Sequence, residues 1–167
     1  PLLLGSAEDL SRLLLKKNET MAVIFGLIFI IALYHLILFI FTPSDRASFW
    51  FSALSFDLAI RVFVTERIFI AGDTPHHLLS EWMTRLNFTT WYAGIPMAVL
   101  LFWALFPKPK ERWILKSFIG IGCIGTAISI FGPLGYDSQL QDFFNLTTLA
   151  LIAWIFSLIA RNVRGPQ

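Results

Sequence analysis

Residues 21–41 read MAVIFGLIFIIALYHLILFIF, an apolar run without one Asp, Glu, Lys or Arg. A helix needs roughly 20 residues, at about 1.5 Å each, to cross the hydrocarbon core of a bilayer. This run meets that length, and it fixes the solvent in which the rest of the chain is read. Four more apolar stretches follow, at 49–71, 88–106, 114–131 and 143–160. Inside hydrocarbon an unpaired backbone N–H or C=O is very costly, so each span closes its hydrogen bonds within itself as a helix. The expectation is an all-α fold: a polytopic α-helical membrane bundle with five transmembrane helices.

Composition agrees. Mean hydropathy is +0.70, and 14% of residues are charged, against about 25% in an ordinary soluble domain. The 17 Phe and 6 Trp suit lipid contact and interfacial belts. A formal net charge of +2 is too small to point to nucleic acid. The single cysteine, Cys123, lies mid-span and excludes an intrachain disulfide.

The segment before the first span is polar. Ser6 with Asp9 three residues on fits a capping-box variant. A helix starting there runs straight into the first span, so residues 1–20 read as an extracellular stalk from an upstream sensor domain that this chain lacks. The alternative is a helix lying on the headgroups. The openings at Pro1 and the close at Gln167 both read as mid-chain. Thr42-Pro43-Ser-Asp-Arg46 is a tight turn that makes spans one and two antiparallel neighbours. Thr74 and Pro75 predict a separate short helix over 75–86 at the interface, anchored by Trp82. Pro96 predicts a bend in span three. A basic breaker at 106–112 and Gly132-Pro-Leu-Gly135 bound span four.

Cations in short loops set orientation. With the N-terminus outside, the inner face holds Arg46, Lys108, Lys110, Arg112, Lys116, Arg161 and Arg164, and the outer side holds Arg67 and Arg85, plus Arg12, Lys16 and Lys17 on the stalk, which is set aside as trailing a translocated domain. The expectation is N-out, C-in.

Span two carries the unusual chemistry: Asp57, Arg61, Glu66 and Arg67. A charge at a helix centre costs about 2.5–3.5 kcal/mol on insertion scales. Asp57 and Arg61 are four residues apart, share a face and can pair. That face, with Trp50, Leu54 and Thr65, is expected to turn toward protein. It reads either as a polar switch or ligand-facing site, or as an ion pair that fixes packing. Glu66 and Arg67 read as solvated near the outer interface. Tyr34 and His35 lie deep in span one, where His35 can sense protons or bond a neighbouring helix. A contact between His35 and Asp57 is within reach by residue counting. The candidate signalling residues are thus Tyr34, His35, Asp57, Arg61 and Glu66.

Other patterns carry less. Asp73, His76, His77 and Glu81 bear metal-ligand side chains, but His77 and Glu81 alone do not close a zinc site. Gly120-Ile-Gly-Cys-Ile-Gly125 matches the dinucleotide fingerprint in letters, yet it lacks the strand and turn that the fingerprint requires. Gly122 with Thr126, and Gly125 with Ser129, instead make a small-residue face for helix packing. No serine, cysteine or carboxylate constellation fits catalysis, so the chain reads as no enzyme, with no cofactor and no metal.

The order of short motifs resembles the membrane region of bacterial seven-transmembrane receptors with diverse intracellular signalling modules. The matching pieces are Leu4-Gly-Ser-Ala-Glu8, Phe25-Gly26, Ala32-Leu-Tyr-His-Leu-Ile-Leu-Phe39, Asp45-Arg46-Ala-Ser-Phe-Trp-Phe51, Leu58-Ala-Ile-Arg61 with Glu66, Phe102 to Pro107, and Ala160-Arg161-Asn-Val-Arg-Gly165. The sequence departs at Arg85-Leu-Asn-Phe88, where the family more often has an acidic residue and a tyrosine. The resemblance implies a multi-pass protein of the bacterial inner membrane. It also implies an upstream extracellular sensor domain, two further spans, and a downstream cytoplasmic kinase, cyclase or phosphatase, with a homodimer expected for a kinase or cyclase output. The partners are then the lipid bilayer and those domains. The function expected is a signal-transducing receptor core. The alternative is a small transporter or channel in which Asp57, Arg61 and His35 line a polar path; no internal repeat supports it.

Overall fold

The computed structural model describes residues 7–66, 77–106, 112–133 and 136–163. They form five α-helices: α1 (Ala7–Phe41), α2 (Arg46–Glu66), α3 (His77–Leu105), α4 (Arg112–Phe131) and α5 (Tyr136–Val163). Each contains a stretch long and apolar enough to cross a membrane. The protein is therefore an all-helical, multi-pass membrane protein.

Helix boundaries differ from the sequence reading in instructive places. α1 is one unbroken helix of 35 residues through the polar segment and the first span. α3 is also unbroken, so residues 77–86, expected as a separate interfacial helix, are continuous with span three; the expected start of that helix at Pro75 lies outside the described residues. The reason is local: between Glu81 and Tyr92 there is no Gly or Pro to stop the helix, and Glu81 and Arg85 pair across one turn at 3.4 Å. The helix also continues through Pro96. The expected end of span two, beyond Glu66, lies outside the described residues.

The helices pack in sequence order. α1 touches α2, α2 touches α3, and α3 touches α4; α5 leans more lightly on α3 and α4. α1 has α2 as its sole neighbour among the described helices. Their seam is aromatic: Phe25 meets Phe63, Phe29 meets Phe56 edge-on, and Phe39 meets Phe49. At its centre the buried Ser52 hydroxyl donates to the carbonyl of Ala32 at 2.9 Å. Between helices in lipid there is no water to expel, so close fit and hydrogen bonds of this kind hold the pair.

The turn joining them is a capped stop. Thr42 N–H donates to the Leu38 carbonyl at 2.8 Å, and Asp45 N–H to Thr42 at 3.0 Å. Asp45 is the N-cap of α2, accepting from the backbone N–H of Ala47 and Ser48 and from the Ser48 hydroxyl. The Ser48 hydroxyl and the backbone N–H groups hold its carboxyl below the usual carboxylate range.

The core lies among α3, α4 and α5: Tyr92, Ile95, Val99, Phe144 and Leu151. Tyr92 and Phe144 pack as a tilted pair with ring centres 4.1 Å apart. The glycines of α4 make this possible. A Cβ on Gly122 would strike the Pro96 ring and come within 3.1 Å of the Tyr92 carbonyl oxygen, while one on Gly125 would strike the Phe144 ring. The small-residue face expected of span four is thus the face that lets α3 and α5 approach.

Candidate functional site

α2 turns its polar face inward, toward α3. A cleft of about 310 Å³ opens between α2, α3 and α5. Leu54, Asp57, Leu58 and Arg61 form its α2 wall; Trp91, Gly94, Ile95 and Ala98 form the α3 wall; Thr148, Leu151, Ile152 and Ile155 close it from α5. It exists because α5 packs on α3 and α4 but makes no direct helix contact with α2. Its mouth faces the bundle exterior, where Leu58 and Ile152 are exposed.

The expected Asp57–Arg61 ion pair is not closed: no N···O approach within 4.0 Å joins them. Each charge has gone to α3 instead. The Arg61 guanidinium lies over the Trp91 indole, 3.7 Å from the ring centre, a cation–π contact that strengthens when desolvated. The Asp57 carboxylate sits where Gly94 leaves room, since a Cβ there would be 3.3 Å from Oδ2. Sharing a face at i,i+4 allows pairing but does not compel it, and Arg61 instead meets an aromatic ring one helix away.

Next to this cleft is a smaller chamber of about 70 Å³, lined by Arg61, Asn87, Phe88, Trp91 and Gln141. Asn87 Oδ1 accepts from the Thr65 hydroxyl at 2.9 Å, tying α2 to α3 beside it. The hydroxyls in the cleft are already used: Thr90 donates to the Asn87 carbonyl and Thr148 to the Phe144 carbonyl, both within their own helices. The Trp91 indole N–H is different. It is buried and has no hydrogen-bond partner.

The other sequence candidates lie elsewhere. Tyr34 is 58% exposed on the outer side of α1. His35 packs against Phe51 with ring centres 4.3 Å apart, and its Nδ1 is buried without a partner. His35 does not reach Asp57. Ser52 is level with Ala32, so Asp57 is level with residues nearer Phe29, on the far face of α2. Glu66 is not simply solvated; it pairs with Lys17 of α1 at 2.8 Å. Thr65 is exposed yet bonded to Asn87. Trp50 is half-buried in a separate, broader cleft at the α1–α2 turn that also involves Asp45, Arg46 and Trp103. Arg67, Asp73 and His76 lie outside the described residues.

Three α3 residues escaped the sequence reading: Arg85, Trp91 and Gly94. Arg85 was counted there as an outer-loop cation, but it lies within α3 with 18% of its side chain exposed. Its Nη1 donates to the carbonyls of Ser129, Ile130 and Gly132, and Glu81 holds its other side. It closes the C-terminal end of α4, where carbonyls lack helical partners and a positive charge is favoured. A signal existed: Pro133 has no N–H to fold back onto those carbonyls. Ser129 completes the junction, donating to the Arg85 carbonyl and accepting from Thr89.

No curated protein and no solved structure matches the chain. One family model does, described as 7TM diverse intracellular signalling, over residues 19–165. That span takes in the five described helices from residue 19 of α1 onward, the cleft beside Asp57 and Arg61, and the junction at Arg85. The chain therefore belongs to the 7TM diverse intracellular signalling family and is a membrane domain of transmembrane signalling.

Proposed function

We propose that this domain relays occupancy of an outer domain, or of the cleft between α2, α3 and α5, to a cytoplasmic enzyme of the kinase, cyclase or phosphatase classes. The N-terminus is outside and the C-terminus inside, in the inner membrane of a bacterium, with α1 continuing outward into a sensor domain. With Arg85 removed from the loop count, the cations near the inner ends of the helices still outnumber those outside. A homodimer is the assembly that a kinase or cyclase output would use.

One observation carries the reading. Two opposite charges on a membrane helix face the same cleft and do not pair with each other. Charges in hydrocarbon are costly, and a bundle built only for stability would close them together. Held apart against Trp91 and Gly94, they define one of two packings of similar energy, which a ligand or a shift of α1 can bias. Apart from Thr90 and Thr148, whose hydroxyls are bonded within their own helices, the other walls of the cleft are apolar, which fits a switch better than a hydrated transport path.

The test uses the intact protein with its effector. Asp57→Ala and Arg61→Leu should each change basal effector output several-fold while the protein remains folded and inserted. Unchanged output from both variants, or flux of a solute through reconstituted protein, would overturn the reading.

A further inference from the structure

We infer that Arg61 is a two-position switch. In the observed packing its guanidinium holds α2 on α3 through the Trp91 ring; in the alternative packing it closes on Asp57, one turn back on its own helix, and releases α2 from that ring. This rests on the relay proposal and names the exchange by which the same site acts.

Three contacts step along the α2–α3 seam. Thr65 bonds Asn87, Arg61 covers Trp91, and Asp57 sits at Gly94. Residues 57, 61 and 65 recur at helical spacing on α2, and residues 94, 91 and 87 do so in the opposite sense on α3, so the contacts lie about one turn apart on two facing stripes. They differ in what they can do. The Thr65–Asn87 bond, at 2.9 Å, is uncharged and fixes the register. At Gly94, α3 offers Asp57 room but no side chain to bond. The middle contact carries the choice. Arg61 has a ring face on α3 and a carboxylate at i−4 on its own helix, in the acid-first order that favours pairing.

Neither partner wins by default. A cation over an indole and an ion pair both strengthen when water is excluded. The ring contact ties two helices but leaves Asp57 without its counter-charge, and it coexists with a buried Trp91 N–H that has no partner, which weakens that packing. The ion pair joins the two charges but binds nothing across the seam. What separates the two is how each depends on helix position. The Asp57–Arg61 spacing is set within α2 and does not change when α2 moves. The Arg61–Trp91 contact spans two helices: a withdrawal of about 2 Å carries the cation from 3.7 Å to the roughly 6 Å limit of its attraction to the ring. Drawing α2 back from α3 therefore hands Arg61 to Asp57 through side-chain rotamers alone. Among the described helices α1 touches only α2, so a displacement of α1 reaches this contact directly.

The test combines fluorine NMR and effector output on the intact protein in nanodiscs, labelled with fluorotryptophan; Trp91→Phe assigns the Trp91 signal among the six tryptophans of the chain. That signal should move in Arg61→Gln, which takes the cation off the ring. In Asp57→Asn, which removes the alternative partner, it should collapse to the ring-bound position. In effector output, Asp57→Asn and Trp91→Leu should act in opposite directions, each several-fold, because one holds Arg61 on the ring and the other sends it to Asp57. Trp91→Leu should add nothing on the Arg61→Gln background, where there is no cation to exchange. The NMR measurements do not use Trp91→Leu and stand if that variant fails to insert. A Trp91 signal unmoved by Arg61→Gln would overturn the switch. So would output shifts of the same sign from Asp57→Asn and Trp91→Leu, or an undiminished Trp91→Leu effect on the Arg61→Gln background; each of these leaves the relay reading standing. A signal that responds as expected while output stays unchanged in every variant would overturn the relay and leave the exchange standing.

Discussion

Arg85 Nη1 lies 2.9 Å from the carbonyl oxygen of Gly132, and through this bond α3 closes the end of α4. One guanidinium serves three carbonyls and one carboxylate at a largely buried junction. Hydrogen bonds to charged groups are each worth about 1.5–3 kcal/mol net. Arg85→Leu should therefore destabilise the bundle by about 2–3 kcal/mol, read as a lower thermal midpoint in nanodiscs. Arg85→Lys should recover only part of this, because one ammonium lacks the separate Nε and Nη2 groups that hold Glu81 while Nη1 serves the carbonyls. An Arg85→Leu midpoint equal to that of the native protein would refute the capping role.

Gly122 and Gly125 make opposite predictions about repair. Alanine at Gly125 meets the ring of Phe144, a side chain, whereas at Gly122 it meets the Pro96 ring and the Tyr92 backbone. Overpacking costs about 1–3 kcal/mol. Gly125→Ala should be rescued largely by Phe144→Leu, while no single side-chain change rescues Gly122→Ala. Thermal melts of the two double-mutant cycles check this.

Lys17 and Glu66 link α1 to α2 near the ends of both spans. Lys17 is 56% exposed, so solvent screens the pair, and a double-mutant cycle should give less than about 1 kcal/mol of stability. Exchange of the two residues, Lys17→Glu with Glu66→Lys, should keep that value. A coupling well above this would mean that the pair is sealed from water.

The α2 cap should confer pH dependence at acid pH. The Asp45 carboxyl titrates below its ordinary range because the folded cap donates hydrogen bonds to its ionised form. The folded state therefore binds that proton less readily than the unfolded state. The cap's contribution is complete above the ordinary carboxylate range and fades as pH falls through the lowered folded value. Asp45→Asn keeps an acceptor at the N-cap but cannot titrate, so its melting curve should lose this acid-side slope. The check is thermal midpoints of both proteins between about pH 6 and about pH 3, a range that brackets the ordinary carboxylate value. Parallel slopes would contradict the assignment.

Much of the fold was legible because hydrocarbon imposes length and composition on every span. The spans at 21–41 and 114–131 agree with α1 and α4 in position, since Pro43 and Gly132 with Pro133 punctuate their ends. The continuity of α3 was misread because the polar run after Thr74-Pro75 suggested a separate helix at the interface; nothing in residues 77–92 of that run ends a helix. The inward face of α2 was legible from Asp57 and Arg61 alone, because charges cannot face lipid cheaply. Where each charge goes was not, since Trp91 and Gly94 lie on another helix and have no periodic relation to α2. Arg85 was hidden by the same rule that oriented the chain: counting cations treats every Arg as a loop residue, and this one spends its charge on carbonyls.

Among the described helices, α1 meets the bundle through α2 alone. A torque applied at its polar end reaches those helices through that one seam. If α1 turns about its long axis, the Ser52–Ala32 bond acts as the pivot and Phe29 sweeps against Phe56, one residue before Asp57. The lever and the cleft are therefore mechanically in series, so a twist of α1 and a filling of the cleft compete for, or reinforce, the same displacement of α2.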